Sequence, residues 1–134
     1  MVDVSTLPAY SFVVQNLYIR LLLLMVKANK LNIATVDVGN AYINAKVGEK
    51  VCSRAGSELS DKVGRTLETL QASHGLKTSA RQWSLCLGNA FCSMEFDPSR
   101  ADPDLWTRAH PRNNGCDCIA TFVDDLIVVA KVPL

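Results

Sequence analysis

The clearest periodicity in the chain lies between Ser11 and Lys30, where Val14, Leu17, Leu21 and Leu24 recur at spacings of three and four. That spacing predicts a helix with one apolar face. Pro8 precedes it and Ser11 is a candidate cap. From Leu21 to Val26 the helix is apolar on more than one side, which predicts that its end is well covered. Arg20 and Lys27 bracket this run. It falls far short of the roughly 18 to 20 apolar residues that a membrane span needs.

The pattern then changes period. Leu31 to Val38 contains Ile33, Thr35 and Val36 and predicts a strand, with Gly39-Asn40 as a bend after it. Glu49 to Arg54 predicts a short strand, Gly56 to Gly64 a polar loop, and Thr66 to Gln71 either strand or helix. Thr78 to Phe96 predicts a second helix: Trp83, Leu87, Ala90, Phe91 and Met94 mark its apolar face, Thr78 or Ser79 can cap it, and Asp97-Pro98 stops it. Asp104 to His110 reads as a strand and Pro111 to Gly115 as a turn. Two β-branched runs follow, Cys118 to Val123 and Leu126 to Val132, split by Asp124-Asp125. They predict a hairpin with two acids at its tip. Helices mixed with mainly antiparallel strands predict an α+β fold. No internal repeat or low-complexity linker divides it, so residues 1 to 134 are expected to form a single domain.

Composition adds limits. A chain of 134 residues with 49% hydrophobic and 20% charged residues can bury one real core. The net charge of +1 lacks the general basic excess of many nucleic-acid binders, so any such surface has to be local or to lie on parts outside these residues. The N-terminal residues show no basic region followed by an apolar run, and the five cysteines are an odd number. Both predict a reduced intracellular protein, cytoplasmic or nuclear, neither secreted nor held in a membrane. Cys116-Asp117-Cys118 lacks the second ligand pair of a structural zinc site.

Three acids change the picture more than composition does. Asp37 ends an apolar run, and Asp124 and Asp125 separate two others. Acids are depleted in strands and costly to bury unpaired. Each alone reads more readily as a turn former. Together they suit a hard divalent cation, which prefers carboxylate oxygens. Two such ions about 4 Å apart can activate a 3′-hydroxyl and stabilise a leaving pyrophosphate. Spacing alone does not bring Asp37 to Asp125.

The neighbouring residues supply a resemblance. Thr35-Val36-Asp37-Val38-Gly39-Asn40-Ala41-Tyr42 resembles the first catalytic motif of reverse transcriptases, and Phe122-Val123-Asp124-Asp125 resembles their aromatic-x-Asp-Asp box. His74-Gly75-Leu76-Lys77 with Ala80-Arg81-Gln82-Trp83 is similar to the middle element of copia-type retrotransposon polymerases. Phe96-Asp97-Pro98-Ser99 with Ala101-Asp102-Pro103-Asp104-Leu105-Trp106 is similar to the segment ahead of that group's catalytic hairpin. The likeness runs from about residue 9 to residue 131.

It implies an RNA-directed DNA polymerase palm: a split β-α-β arrangement whose antiparallel sheet carries helices on one face. Asp37, Asp124 and Asp125 would be catalytic and hold two Mg²⁺ ions, or Mn²⁺, with the backbone carbonyl of Val38 completing a shell. Tyr42 would lie against the sugar of the incoming nucleotide, or serve as a core aromatic. Gly75 would let template-primer or base approach the backbone, or be a plain loop glycine. Lys77 and Arg81 suit phosphate contacts or a solvated helix start, and Trp83 suits the core. The implied partners are an RNA or DNA template-primer, a dNTP and, in an intact element, integrase and ribonuclease H on the same polyprotein. The resemblance also implies a truncated copy, without the thumb, most of the fingers or ribonuclease H. Departures from the family pattern are His74 where an aromatic usually precedes the glycine, Cys52 and Ser53 in a stretch that is commonly aromatic or aliphatic, and Glu95 where the family tends to have glycine. A catalytically inactive remnant, or an unrelated α+β binding module with an Asp-Asp turn, are the competing readings.

Overall fold

The computed structural model describes residues 13–74, 76, 78–109 and 115–131. Helix α1 spans Asn16–Asn29 and helix α2 spans Ser79–Ser93. The strands are β1 (Asn32–Asp37), β2 (Lys46–Arg54), β3 (Thr66–Gln71), β4 (Asp97–Pro98), β5 (Leu105–Ala109), β6 (Cys116–Phe122) and β7 (Asp125–Ala130). Five of them form one antiparallel sheet in the order β1-β7-β6-β5-β4, while β2 and β3 pair as a separate ribbon. Thr66 to Gln71, which pattern left open, is therefore a strand. Residues 41–44 and 57–62 form 3₁₀ turns, the second broken at Leu59-Ser60.

The core forms on both faces of the sheet. Cys118, Ala120, Ile127 and Val129 pack under α1 against Leu22, with Val14 beside them. Ile119, Leu126, Val128 and Trp106 face the opposite way and pack against Phe91 and Phe96. The expectation of helices on one face is thus corrected: α1 and α2 cover opposite faces. The reason lies in β6, which carries buried residues at five consecutive positions, 117–121. A strand without apolar-polar alternation needs cover on both sides. A second correction concerns α1, whose leucine run is not well covered. Only Leu22 of this helix is buried, while Leu17, Leu21, Leu23, Leu24 and Met25 are exposed.

Two buried acids tie the start of α1 to the sheet. Asp102 accepts the backbone N–H of Gln15 at 2.9 Å on one oxygen and that of Asp104 at 3.0 Å on the other. Val14 N–H donates to the Thr121 carbonyl at 2.9 Å, and the Asp104 carbonyl accepts both the Thr121 N–H and its hydroxyl. The Asp104 carboxyl accepts the Val13 N–H, but its buried Oδ1 has no partner among the described residues. Burial pushes this carboxyl up to about 6, Asp102 beside it acts in the same direction, and the Val13 hydrogen bond pulls it back. The predicted cap Ser11 lies outside the described residues. At α2, Ser79 sits inside the helix and its hydroxyl is tied to Ser73, donating to the carbonyl at 2.6 Å and accepting the N–H at 3.1 Å.

The end of α2 explains one departure from the family pattern. Phe96 N–H donates to the Phe91 carbonyl and Glu95 N–H to that of Cys92, both at 3.0 Å. This is a Schellman ending, accompanied by the Phe91–Phe96 ring contact. Such an ending needs a left-handed residue at position 95, and Glu95 has φ 65°. Glycine adopts that conformation without a Cβ penalty.

Two outcomes follow. Glu95→Gly stabilises the fold by roughly 1 kcal/mol, read as a higher urea midpoint at unchanged m-value. Asp104 has a folded-state pKa raised from 3.8 to about 6, so its contribution is fully present below pH 3.8 and is lost as pH rises through about 6. Melting temperatures of the wild type minus those of Asp104→Asn should therefore fall between about pH 4 and pH 6 and level off above. A difference independent of pH would refute this.

Candidate catalytic edge

The site is assembled by strand register. In the β1–β7 pair, Asp37 lies directly opposite Asp125, and Val36 opposite Leu126. Residues so paired have Cα atoms roughly 4.5–5.5 Å apart. The β6–β7 hairpin closes on the Phe122–Asp125 pair, leaving Val123-Asp124 as a two-residue loop. The Val38 N–H reaches across to the Asp124 carbonyl at 2.9 Å. Asp37, Asp124 and Asp125, separated by 87 and 88 positions in sequence, thus meet at one end of the sheet.

All three acids are exposed. None takes a hydrogen bond or ion pair on its carboxylate from another described residue. Asp117 shows the contrast: it is buried in β6 and paired with Arg108 at 2.9 Å. The donor set at the edge, all hard oxygen, suits a divalent cation such as Mg²⁺. Among the described residues, however, no three carboxylate, imidazole or thiolate groups converge closely enough to hold a metal ion. Backbone register sets Asp37 and Asp125 opposite each other, where like charges repel.

The remaining expected residues fall as follows. Val38 follows β1 directly and packs against the clusters that hold Phe91 and Trp83. Tyr42 is not on a strand but on the 3₁₀ turn over Ala41–Asn44, behind the bend where Asn40 has φ 55°. Its ring meets His74 edge-on at 4.8 Å, so His74 takes an aromatic's place in a packing sense. Gly75 and Lys77 lie outside the described residues. Arg81 is exposed on α2. Trp83 is buried, as expected of a core residue, but its indole N–H also donates to the Val123 carbonyl at 2.8 Å. That link was not visible in the sequence. The available signal was chemical: a buried tryptophan usually finds an acceptor.

Residues 3–132 match the family described as reverse transcriptase (RNA-dependent DNA polymerase). The chain belongs to the reverse transcriptase family. No curated protein and no solved structure was matched. No described helix of this reverse transcriptase chain is long and apolar enough to cross a membrane. Its mixed fold with antiparallel sheets suits part of such a domain.

Like charges placed directly opposite in a strand pair are destabilising by roughly 0.2–1 kcal/mol. Asp125→Asn should therefore raise the melting temperature by about 1–4 °C in EDTA. A lower melting temperature would mean that Asp125 carries a stabilising contact.

Proposed function

We propose that this chain is the palm of a copia-type retrotransposon polymerase and that its Asp37–Asp125 edge performs RNA-directed DNA synthesis. The observation that carries the proposal is the direct pairing of Asp37 with Asp125, with Asp124 held beside them by the Val38 N–H. Asp37, Asp124 and Asp125, with the Val38 carbonyl, would hold two Mg²⁺ ions, or Mn²⁺. Ions so placed would activate a primer 3′-hydroxyl and neutralise a leaving pyrophosphate. Asp37 and Asp125 supply hard ligands from two paired strands, which fix position more firmly than loops, while Asp124 and Val38 lie directly beside them in the chain. Tyr42, five residues beyond Asp37, would face the sugar of a dNTP, and Gly75 would admit base or template-primer close to the backbone. The proposed partners are a template-primer, a dNTP and the integrase and ribonuclease H of the same polyprotein.

A second reading is a retrotransposon-derived remnant without turnover. The departures from the family pattern at Cys52, Ser53 and His74 favour it. Two measurements separate the readings. Mn²⁺ titration followed by electron paramagnetic resonance should show binding that Asp124→Asn weakens by roughly tenfold or more. Extension of oligo(dT) on poly(rA) in Mg²⁺ should fall roughly a hundredfold or more in the same variant. Binding without extension selects the remnant. Extension that survives Asp124→Asn removes these acids from the reaction.

A further inference from the structure

The loop that carries Asp124 is held in an unfavourable conformation. Val123, its first residue, has φ 59°. A β-branched residue in the left-handed region is a true outlier, and two-residue hairpins that need positive φ at this position normally place glycine there. Such a residue persists only where its surroundings hold it. Each of the two loop carbonyls has one donor. Val38, just beyond β1, gives its N–H to the Asp124 carbonyl at 2.9 Å, and Trp83 of α2 gives its indole N–H to the Val123 carbonyl at 2.8 Å.

Trp83 is itself closely held. It is 6% exposed and packs with Ala41, Ala45 and Ala72. The cavity beside it, lined by Tyr42, Ser84, Leu87, Trp106 and Thr121 among others, has room for one water, about 10 Å³. The indole therefore has little freedom to turn away from the hairpin.

We infer that Trp83 is a positioning residue: its indole N–H fixes the Val123 peptide and so sets where Asp124 stands relative to Asp37 and Asp125. The inference rests on the proposed role of Asp124 as a metal ligand. It concerns a residue that touches neither ion nor substrate. Outer partners of this kind commonly alter metal affinity by ten- to a hundredfold. Deleting the donor leaves the left-handed valine with one fewer restraint. The tip then samples orientations in which the Val38–Asp124 hydrogen bond is open.

The test uses the full chain with Trp83→Phe, which keeps an aromatic ring and removes the donor. Hydrogen exchange of the Val38 amide should quicken by roughly tenfold or more, while that of Ala120, inside β6, changes far less. Mn²⁺ affinity should fall by roughly tenfold. A folded Trp83→Phe with Val38 exchange and Mn²⁺ affinity both within twofold of wild type overturns the inference. So does quickening that is equal at Val38 and Ala120, which marks a purely structural role. If wild type binds no Mn²⁺, the polymerase reading fails, and the exchange comparison still decides whether Trp83 holds the tip. If Trp83→Phe is unfolded, Val123→Gly with Trp83→Phe is compared with Val123→Gly alone. Glycine relieves the left-handed strain. The same local quickening at Val38 then supports the inference, and its absence overturns it.

Discussion

Strand β7 is bonded on both sides, to β1 along Asn32–Asp37 and to β6 along Cys118–Phe122. That double pairing is the constraint from which the rest follows. It joins the first third of the chain to its last residues, and register leaves no freedom in the result: a shift of one residue would turn Leu126 and Val128 out of the α2 core and move Asp125 away from Asp37. The apolar positions that hold the sheet together and the acids at its end are therefore set by one alignment. Burying Val129 and Leu126 on opposite faces is the same event as placing Asp125 opposite Asp37.

Much of this was legible from the chain alone. Two apolar, β-branched runs split by Asp124-Asp125 located the hairpin, and the neighbours of Asp37 and Asp124 carried a family signature. Three features were not legible, each for a physical reason. An apolar run such as β6 does not say on which side a helix will lie, so the placement of α1 and α2 on opposite faces is not written in the strand itself. Apolar periodicity also overstates burial: Leu17, Leu21 and Leu24 repeat as a core face does, yet they are exposed while Leu22 faces inward. The bend at Gly39-Asn40 was legible, but not the 3₁₀ turn beyond it that carries Tyr42, because the left-handed Asn40 redirects the chain through backbone geometry.

Left-handed residues recur at junctions that matter. Lys30 ends α1, Asn40 turns the chain away from Asp37, Glu95 ends α2 and Val123 opens the β6–β7 loop. Asparagine tolerates that conformation, whereas glutamate and valine do so at a cost. At Glu95 the cost is offset by two backbone bonds and the Phe91–Phe96 contact, so the departure from glycine is tolerated without loss of the helix end. At Val123 the supporting bonds come from two separate elements, which couples the acid-bearing loop to α2 and to the end of β1.

The acids of this chain divide by environment. Asp102, Asp104 and Asp117 are buried and spend their oxygens on Gln15, Val13 and Arg108, apart from the Oδ1 of Asp104, which has no partner among the described residues. They are structural in a plain sense, since each fastens one segment to another. Asp37, Asp124 and Asp125 fasten nothing through their side chains among the described residues, and pairing two of them across strands works against folding. An arrangement that costs stability and supplies no contact of its own is what a site kept for a cation would leave behind. That asymmetry, more than the count of acids, is what the proposed cation-binding role would account for.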